Sequence, residues 1–302
     1  MKRAMAVAVA AAWLAVGLYG IETYASHYYT YRGFPPPHDP PGVAKGQLKT
    51  VRFFSRALGQ ERRYLIYLPP RYAQDSALGK RYPAFYVLHG SPGSPELFLN
   101  AGNLGVDLDT LVARRRARPM LVVFPNGSDG SYRSDTEWAN TPHGRFEDFV
   151  LDVVHNVDRR FPTRADRRHR ALAGNSEGAY AAVNIALHHL KTFGILESWS
   201  GYFSVHAQGP FKHASLLDLY RNSPDLYVPN LHADLRRRPV HAFLYTGDRD
   251  RDRQKVADFA HRLGAAGARV TFAVYKGHHS WNLWRRETPL MLRFASDNFG
   301  RR

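Results

Sequence analysis

The stretch that decides the fold is Arg170-Ala171-Leu172-Ala173-Gly174-Asn175-Ser176-Glu177-Gly178-Ala179-Tyr180. An apolar triplet, Ala171 to Ala173, enters it as a short strand. An Ala-rich run from Ala179 to Leu190 leaves it as a helix. Between them, Gly174-Asn175-Ser176-Glu177-Gly178 fits the Gly-x-Ser-x-Gly elbow, in which a serine occupies a sharp strand-to-helix turn. The two glycines remove side chains that would collide where strand and helix pack this closely. The turn lifts the hydroxyl above the sheet at the amino end of a helix, where an anionic intermediate is favoured. The bare pattern also recurs by chance. It acquires meaning when a histidine, an acid and an oxyanion hole fall where such a sheet places them.

Working outward, the hydrophobic pattern predicts strands alternating with helices. Thr50 to Ser55 and Arg63 to Leu68 read as two strands about a Gly59 turn. Ala84 to Leu88 and Met120 to Phe124 are continuous apolar runs, as expected of strands buried on both faces. Val106 to Arg116 reads as a helix. Phe146, Phe149, Val150, Val153, Val154, Val157 and Phe161 keep a helical rhythm. Beyond the elbow come a strand at Phe193 to Trp199 and an irregular, Pro-containing segment at 203–238, expected to form a small cap. A strand at Val240 to Tyr245, a helix around Val256 to Leu263, a strand at Arg269 to Tyr275 and a helix at Trp281 to Phe299 complete the chain. The alternation predicts an α/β fold with a mostly parallel sheet covered on both faces. Ligands of such sheets bind beyond the carboxyl ends of the strands. The elbow, the loop after Leu88, the loop after Tyr245 and the loop after Tyr275 all follow strands, so their polar groups are expected at one edge.

A serine hydroxyl becomes a nucleophile when a base takes its proton, and on this kind of sheet the order is serine, acid, histidine. His278 and His279 in Gly277-His278-His279-Ser280-Trp281 are the candidates for the base. Asp248, Asp250 and Asp252 in Asp248-Arg249-Asp250-Arg251-Asp252 are the candidates for the acid that orients it. The alternating aspartates are not a calcium hand, because Arg253 stands where the required glycine belongs and Phe259 where the closing glutamate belongs. An oxyanion hole needs two backbone N–H groups. Glu177, directly after the serine, supplies one. Pro92 has no N–H, so Ser91 is the better donor from the loop after Leu88. Trp138, Trp199, Tyr202 and Trp281 are candidate walls of an acyl pocket, although core packing accounts for each of them singly just as well.

With these residues in place the chain resembles the α/β-hydrolase esterases that include enterochelin esterases, feruloyl esterases, S-formylglutathione hydrolases and secreted mycolyltransferases. The resemblance covers about residues 50 to 300. It is carried by Tyr64-Leu65-Ile66-Tyr67-Leu68-Pro69, Tyr86-Val87-Leu88-His89-Gly90, the elbow, Trp199-Ser200-Gly201-Tyr202-Phe203, Tyr245-Thr246-Gly247 and Gly277-His278-His279-Ser280-Trp281 with Trp284-Arg285. It implies that His279 is the catalytic histidine and Asp250 the acid, and that the reaction is acyl transfer from an ester through a Ser176 acyl-enzyme, with no metal and no organic cofactor. The family's elbow carries methionine and then two glycines after the serine. Here Glu177 replaces the methionine and Ala179 the second glycine. A carboxylate beside the oxyanion hole would oppose developing negative charge, so Glu177 is expected to point away and pair with an arginine.

Composition bounds the remaining readings. With 302 residues, 44% of them apolar, one sizeable core is expected, in a domain at 47–302. The absence of cysteine excludes disulfide, thiolate-metal and cysteine-nucleophile chemistry. Lys2 and Arg3 precede an uncharged run from Ala4 to Ile21, so residues 1–25 read as a signal peptide or membrane anchor, with the domain outside the cytoplasm. Residues 26–46, rich in Tyr and Pro, read as an extended linker. The net charge of +16 is spread over short basic runs and fits either a solvated basic face or attraction to an anionic membrane or cell-wall surface; no nucleic-acid motif accompanies it. The expected partner is a small-molecule or lipid ester. A serine esterase leads, an acyltransferase on envelope lipids or sugars differs from it only in the acceptor, and a silent envelope-binding scaffold is the rival from another class.

Overall fold

A computed structural model describes residues 2–130 and 135–300. In chain order the elements are α1 (Lys2–Tyr31), β1 (Gln47–Ser55), β2 (Gln60–Leu68), α2 (Tyr72–Ala77), β3 (Ala84–Leu88), α3 (Glu96–Asn100), α4 (Leu104–Ala113), β4 (Leu121–Pro125), β5 (Asn140–Thr141), β6 (Gly144–Arg145), α5 (Phe146–Arg160), β7 (Arg170–Asn175), α6 (Glu177–His188), β8 (Ile195–Trp199), α7 (Leu216–Arg221), α8 (Pro224–Tyr227), α9 (His232–Arg237), β9 (His241–Gly247), α10 (Arg253–Ala265), β10 (Arg269–Tyr275) and α11 (Trp281–Asn298).

Eight strands form one sheet in the order β1-β2-β4-β3-β7-β8-β9-β10. β1 pairs antiparallel with β2, and β2 antiparallel with β4, while every pairing from β4 through β3 and β7 to β10 is parallel. The central strands β3, β4, β7 and β8 are buried along their whole length, which is why β3 and β4 run apolar without alternation. Alternate side chains enter two cores. Tyr64, Ile66 and Leu68 of β2 join Phe149 and Val153 of α5, Tyr180 of α6 and Phe259 of α10 on one face. Leu65 and Tyr67 join Leu104 and Leu108 of α4 and Leu283 and Met291 of α11 on the other. The strand register aligns Leu88 with Gly174, Asn175 with Trp199 and Gly247 with Tyr275, so the loops that follow these strands leave one sheet edge together.

Two expectations are corrected. The stretch from Ser26 is not extended at its start. α1 continues to Tyr31 because nothing in Ser26–Tyr31 breaks a helix, and His27 and Tyr31, one turn apart, bring their rings to 5.0 Å. The break comes at Arg32 and Gly33, both left-handed, ahead of Pro35. The rest of the stretch docks onto the domain, with the Arg285 guanidinium 4.7 Å above the Phe34 ring. The ordered domain then begins where the Gly46 N–H donates to Asp109 Oδ2 at 2.9 Å. Among the described residues no helix is long and apolar enough to cross a membrane, and the side chains of 1–4 and 6–10 lie outside the described set. The second correction concerns the irregularity expected of residues 203–238, which contain three short α-helices. They pack along α6 and α10, with Tyr180 donating to the Asn222 carbonyl at 2.8 Å, Tyr227 to Asn184 at 2.8 Å and Arg262 pairing with Asp225 at 2.7 Å.

Candidate active site

β7 delivers Ser176 to the sheet edge in a backbone conformation that a side-chain-bearing residue adopts only under constraint, φ 55° and ψ −121°. The surroundings impose it. The Ser176 N–H donates to the Trp199 carbonyl at 3.0 Å, and the Ser176 carbonyl accepts from Ala179 and Tyr180 at 3.0 and 3.1 Å, starting α6 directly after the serine. Strand β3 and helix α6 approach so closely that a Cβ on Gly178 would lie 2.0 Å from the Leu88 carbonyl oxygen. The hydroxyl therefore stands above the sheet at the amino end of α6.

The loops after β9 and β10 complete the arrangement. His279 Nε2 lies 2.9 Å from Ser176 Oγ, and His279 Nδ1 lies 2.9 Å from Asp250 Oδ2. The Asp250 side chain is buried, whereas that of His279 is 41% exposed and so open to a reacting molecule. Burial would raise the Asp250 carboxyl, but hydrogen bonds from His279 and the Asp252 N–H outweigh it and hold the group below its ordinary value as a carboxylate. The other candidates have different tasks. Asp248 accepts from the Gly277 N–H at 2.8 Å, Asp252 pairs with Lys255 at 2.8 Å, and His278 is exposed beside Asp248.

The loop after Leu88 runs beside the serine: a Cβ on Gly90 would lie 2.9 Å from Ser176 Cβ. Ser91 follows it, exposed, at a cis Ser91–Pro92 bond. Beneath this loop His89 is buried. Its Nδ1 faces the Gly90 carbonyl at 3.0 Å and its Nε2 accepts from the Gly127 N–H at 3.1 Å. Burial pushes the imidazole down to about 4, so it stays neutral.

The four candidate pocket aromatics part company. Trp138 and Trp199 are each 1% exposed and present no wall to a ligand. Trp138 packs on His89 and donates from Nε1 to the His89 carbonyl at 3.0 Å, and Trp199 donates to Glu197 at 3.1 Å beneath the sheet edge. Tyr202 is half-buried, stacked on Tyr180 at 5.1 Å, with its hydroxyl donated to Glu137. Only Trp281 is both partly open and close to the histidine, edge-on to Phe98 at 5.6 Å and to Trp284 at 5.3 Å, with Trp284 in turn 5.2 Å from the His279 ring.

Glu177 points away from the serine, yet no arginine meets it among the described residues. Its carboxyl is buried, takes the backbone N–H groups of Glu137 and Thr136, and lies among the carboxylates of Asp135 and Glu137, their oxygens within 4.8 Å of one another. Burial, reinforced by these two acids, raises Glu177 well above the usual carboxyl range, and burial pushes Glu137 up to about 7. The sequence offered no sign of this cluster, because its members come from segments some forty positions apart.

Comparison with known proteins adds to this geometry. The Esterase family, described as "Putative esterase", matches residues 55–295. An endo-1,4-beta-xylanase/feruloyl esterase of Xylanibacter ruminicola is 29% identical over 187 residues, which is 60% of this chain but 24% of that protein. An esterase of Mycobacterium tuberculosis is 27% identical over 156 residues, 51% of this chain and 32% of that one. The chain thus spans a quarter to a third of the length of these two relatives. The solved structure of a ferulic acid esterase superposes with a TM-score of 0.76 at 26% identity, covering 85% of this chain and 100% of the other. A strained serine between β7 and α6, a mostly parallel sheet with helices on both faces, and a match across four-fifths of the length identify the chain as a member of the Esterase family of α/β-hydrolases.

Proposed function

We propose that the protein is a serine esterase that cleaves a small carboxylic ester through an acyl-enzyme on Ser176. The observation that carries this reading is the unbroken relay from Asp250 through His279 to Ser176, at 2.9 and 2.9 Å, ending on a serine held at φ 55° at the start of a helix. His279 takes the Ser176 proton as Oγ attacks the ester carbonyl. Asp250 holds the imidazole with Nδ1–H toward itself and stabilises the imidazolium. The N–H groups of Glu177 and Ser91 receive the oxyanion. His279 then gives its proton to the departing alcohol. A water, deprotonated by the same histidine, releases the acid and restores the serine.

An aromatic acyl group is the substrate class we favour. Trp281, partly open and backed by the buried Phe98, offers a ring edge near His279, and two of the similar proteins bear feruloyl or ferulic acid esterase names. The Lys2-Arg3 pair ahead of an uncharged run supports a domain outside the cytoplasm, and the charge of +16 supports contact with an anionic surface there.

Labelling with a fluorophosphonate probe, beside Ser176→Ala, tests the mechanism. The modified peptide should contain Ser176, and turnover of methyl ferulate should fall on the order of 10⁴-fold or more in the variant. Labelling elsewhere, or near-full activity in Ser176→Ala, refutes it. Acyl transfer to an added sugar at the expense of hydrolysis would move the reading to an acyltransferase. Fractionation of the full-length chain in cells tests export, and recovery in the cytoplasm refutes it.

A further inference from the structure

We propose that Glu177 is a positioning residue for this site. Its buried carboxyl holds the Thr136–Trp138 turn, and that turn fixes, through Trp138 and His89, the loop that faces Ser176. The inference rests on the catalytic reading above and concerns a side chain that takes no part in the chemistry itself.

The turn needs an anchor. Glu137 and Trp138 are successive residues at φ 48° and 50°, a left-handed pair without glycine. L-residues avoid that region, and such pairs persist only where their surroundings over-determine them. Thr136 and Glu137 aim successive N–H groups into one buried spot, and the Glu177 carboxyl fills it. Two further contacts hold the turn from other sides. Thr136 Oγ1 donates to the Gly127 carbonyl at 3.2 Å, and the Tyr202 hydroxyl donates to the Glu137 carboxylate.

The turn acts on the site through one indole. Trp138 is buried, its ring lies 5.0 Å from that of His89 at 61°, and its Nε1–H donates to the His89 carbonyl at 3.0 Å. The His89 ring in turn bridges the Gly127 N–H and the Gly90 carbonyl. Gly90 then presses on Ser176, where a Cβ would lie 2.9 Å from the serine Cβ and 3.0 Å from the Asn175 carbonyl. The path leaves the residue after the serine and returns to the loop on its other side. Both proposed oxyanion donors, the N–H of Glu177 and the N–H of Ser91, are thereby tied by one side chain. Methionine at this position cannot accept those N–H groups; it would deprive the Thr136 donor of this acceptor and leave the Glu137 N–H to the Asp135 carboxylate alone. Burial, with the neighbouring acids, raises the Glu177 carboxyl well above its ordinary range, which disfavours a charge beside the developing oxyanion.

The experiment uses the whole protein and compares wild type, Glu177→Gln and Glu177→Met for kcat and KM on an aryl ester at neutral pH, with Tm and fluorophosphonate labelling measured in parallel. Glutamine keeps an acceptor oxygen for the two N–H groups and should hold kcat within about threefold of wild type. Methionine should lower kcat by about tenfold or more with KM within about twofold, the signature of lost transition-state alignment. A folded Glu177→Met protein with kcat within about twofold of wild type overturns the proposal, as does an equal loss in both variants. Should Glu177→Met fail to fold, Trp138→Phe removes the Nε1–H donor together with the pyrrole ring that carries it, and should also lower kcat. Unchanged kcat there also overturns the proposal. Absence of Ser176 labelling in the wild type overturns the catalytic reading and this one with it, whereas a labelled wild type beside an indifferent Glu177→Met overturns this one alone.

Discussion

Asp250 Oδ2 lies 2.9 Å from His279 Nδ1, whereas Asp248 and Asp252, two residues to either side, face away from that ring. Three carboxylates that look alike in sequence therefore divide their tasks. Asp250→Asn can keep the shape but favours the wrong imidazole tautomer, and kcat should fall about 10²- to 10⁴-fold. Asp252→Asn removes only surface pairing and should stay within about threefold of wild type. Asp248→Asn weakens the bond to the Gly277 N–H and should fall between the two. Steady-state kinetics on one ester checks all three, and a larger loss at Asp252 than at Asp250 contradicts the assignment.

His89 makes acid stability a test of its burial. Its folded pKa, about 4, lies below the ordinary histidine value because burial penalises the charged ring. Between these values the unfolded chain binds the proton and the folded chain does not, so stability is lost as pH falls from about 6.5 toward 4, by about 3 kcal/mol from this group. His89→Gln leaves an acceptor for the Gly127 N–H and nothing to titrate. Its urea midpoint should fall less than that of wild type between pH 7 and pH 4.5. Parallel losses in the two proteins would show that His89 is not the group responsible.

The meeting of Ser176 with His279 and the frame that brings it about were legible because they rest on local chemistry. Ala84 to Leu88 and Arg269 to Tyr275 are strands with the bounds that the apolar pattern predicts, and the elbow needs its glycines wherever it occurs. Strand order was not legible, since a buried strand carries no mark of its neighbours and β4 lies between β2 and β3. Nor were α2 and α3, of six and five residues, which are too short to display a helical period. Trp138 and Trp199 read equally as pocket walls or as core, because sequence does not tell which side of a sheet edge a ring turns toward. Glu177 misled most. The pairing expected for a charged residue was an arginine, but its partners among the described residues are two backbone N–H groups on a left-handed turn, and backbone donors have no sequence signature.

Trp281 should set preference for the acyl group. Its partly open ring beside Phe98 and Trp284 offers an edge to an aromatic acid and little to an acetyl group. Trp281→Ala is expected to lower kcat/KM for methyl ferulate by about tenfold while changing that for an aryl acetate by less than about threefold. Equal losses on both esters would mean that the ring supports His279 through Trp284 rather than receiving the acyl group.

Glu197 stands in the middle of β8, fully buried, with one oxygen receiving the Trp199 indole N–H at 3.1 Å. Burial raises its pKa well above the ordinary carboxyl value. The folded chain then keeps a proton that the unfolded chain gives up, so stability falls as pH rises from about 4.3 toward the folded value, at up to about 1.4 kcal/mol per unit. Glu197→Gln keeps an acceptor for the Trp199 N–H and does not titrate. Its Tm should exceed that of wild type at pH 9 by more than at pH 5. Glu177 pulls in the same direction, so the single variant should reduce the alkaline decline rather than abolish it, and adding Glu177→Gln should reduce it further. Thermal unfolding at pH 5, 7 and 9 measures the decline, and an unaltered slope in Glu197→Gln would mean that the buried carboxyl is not the source of it.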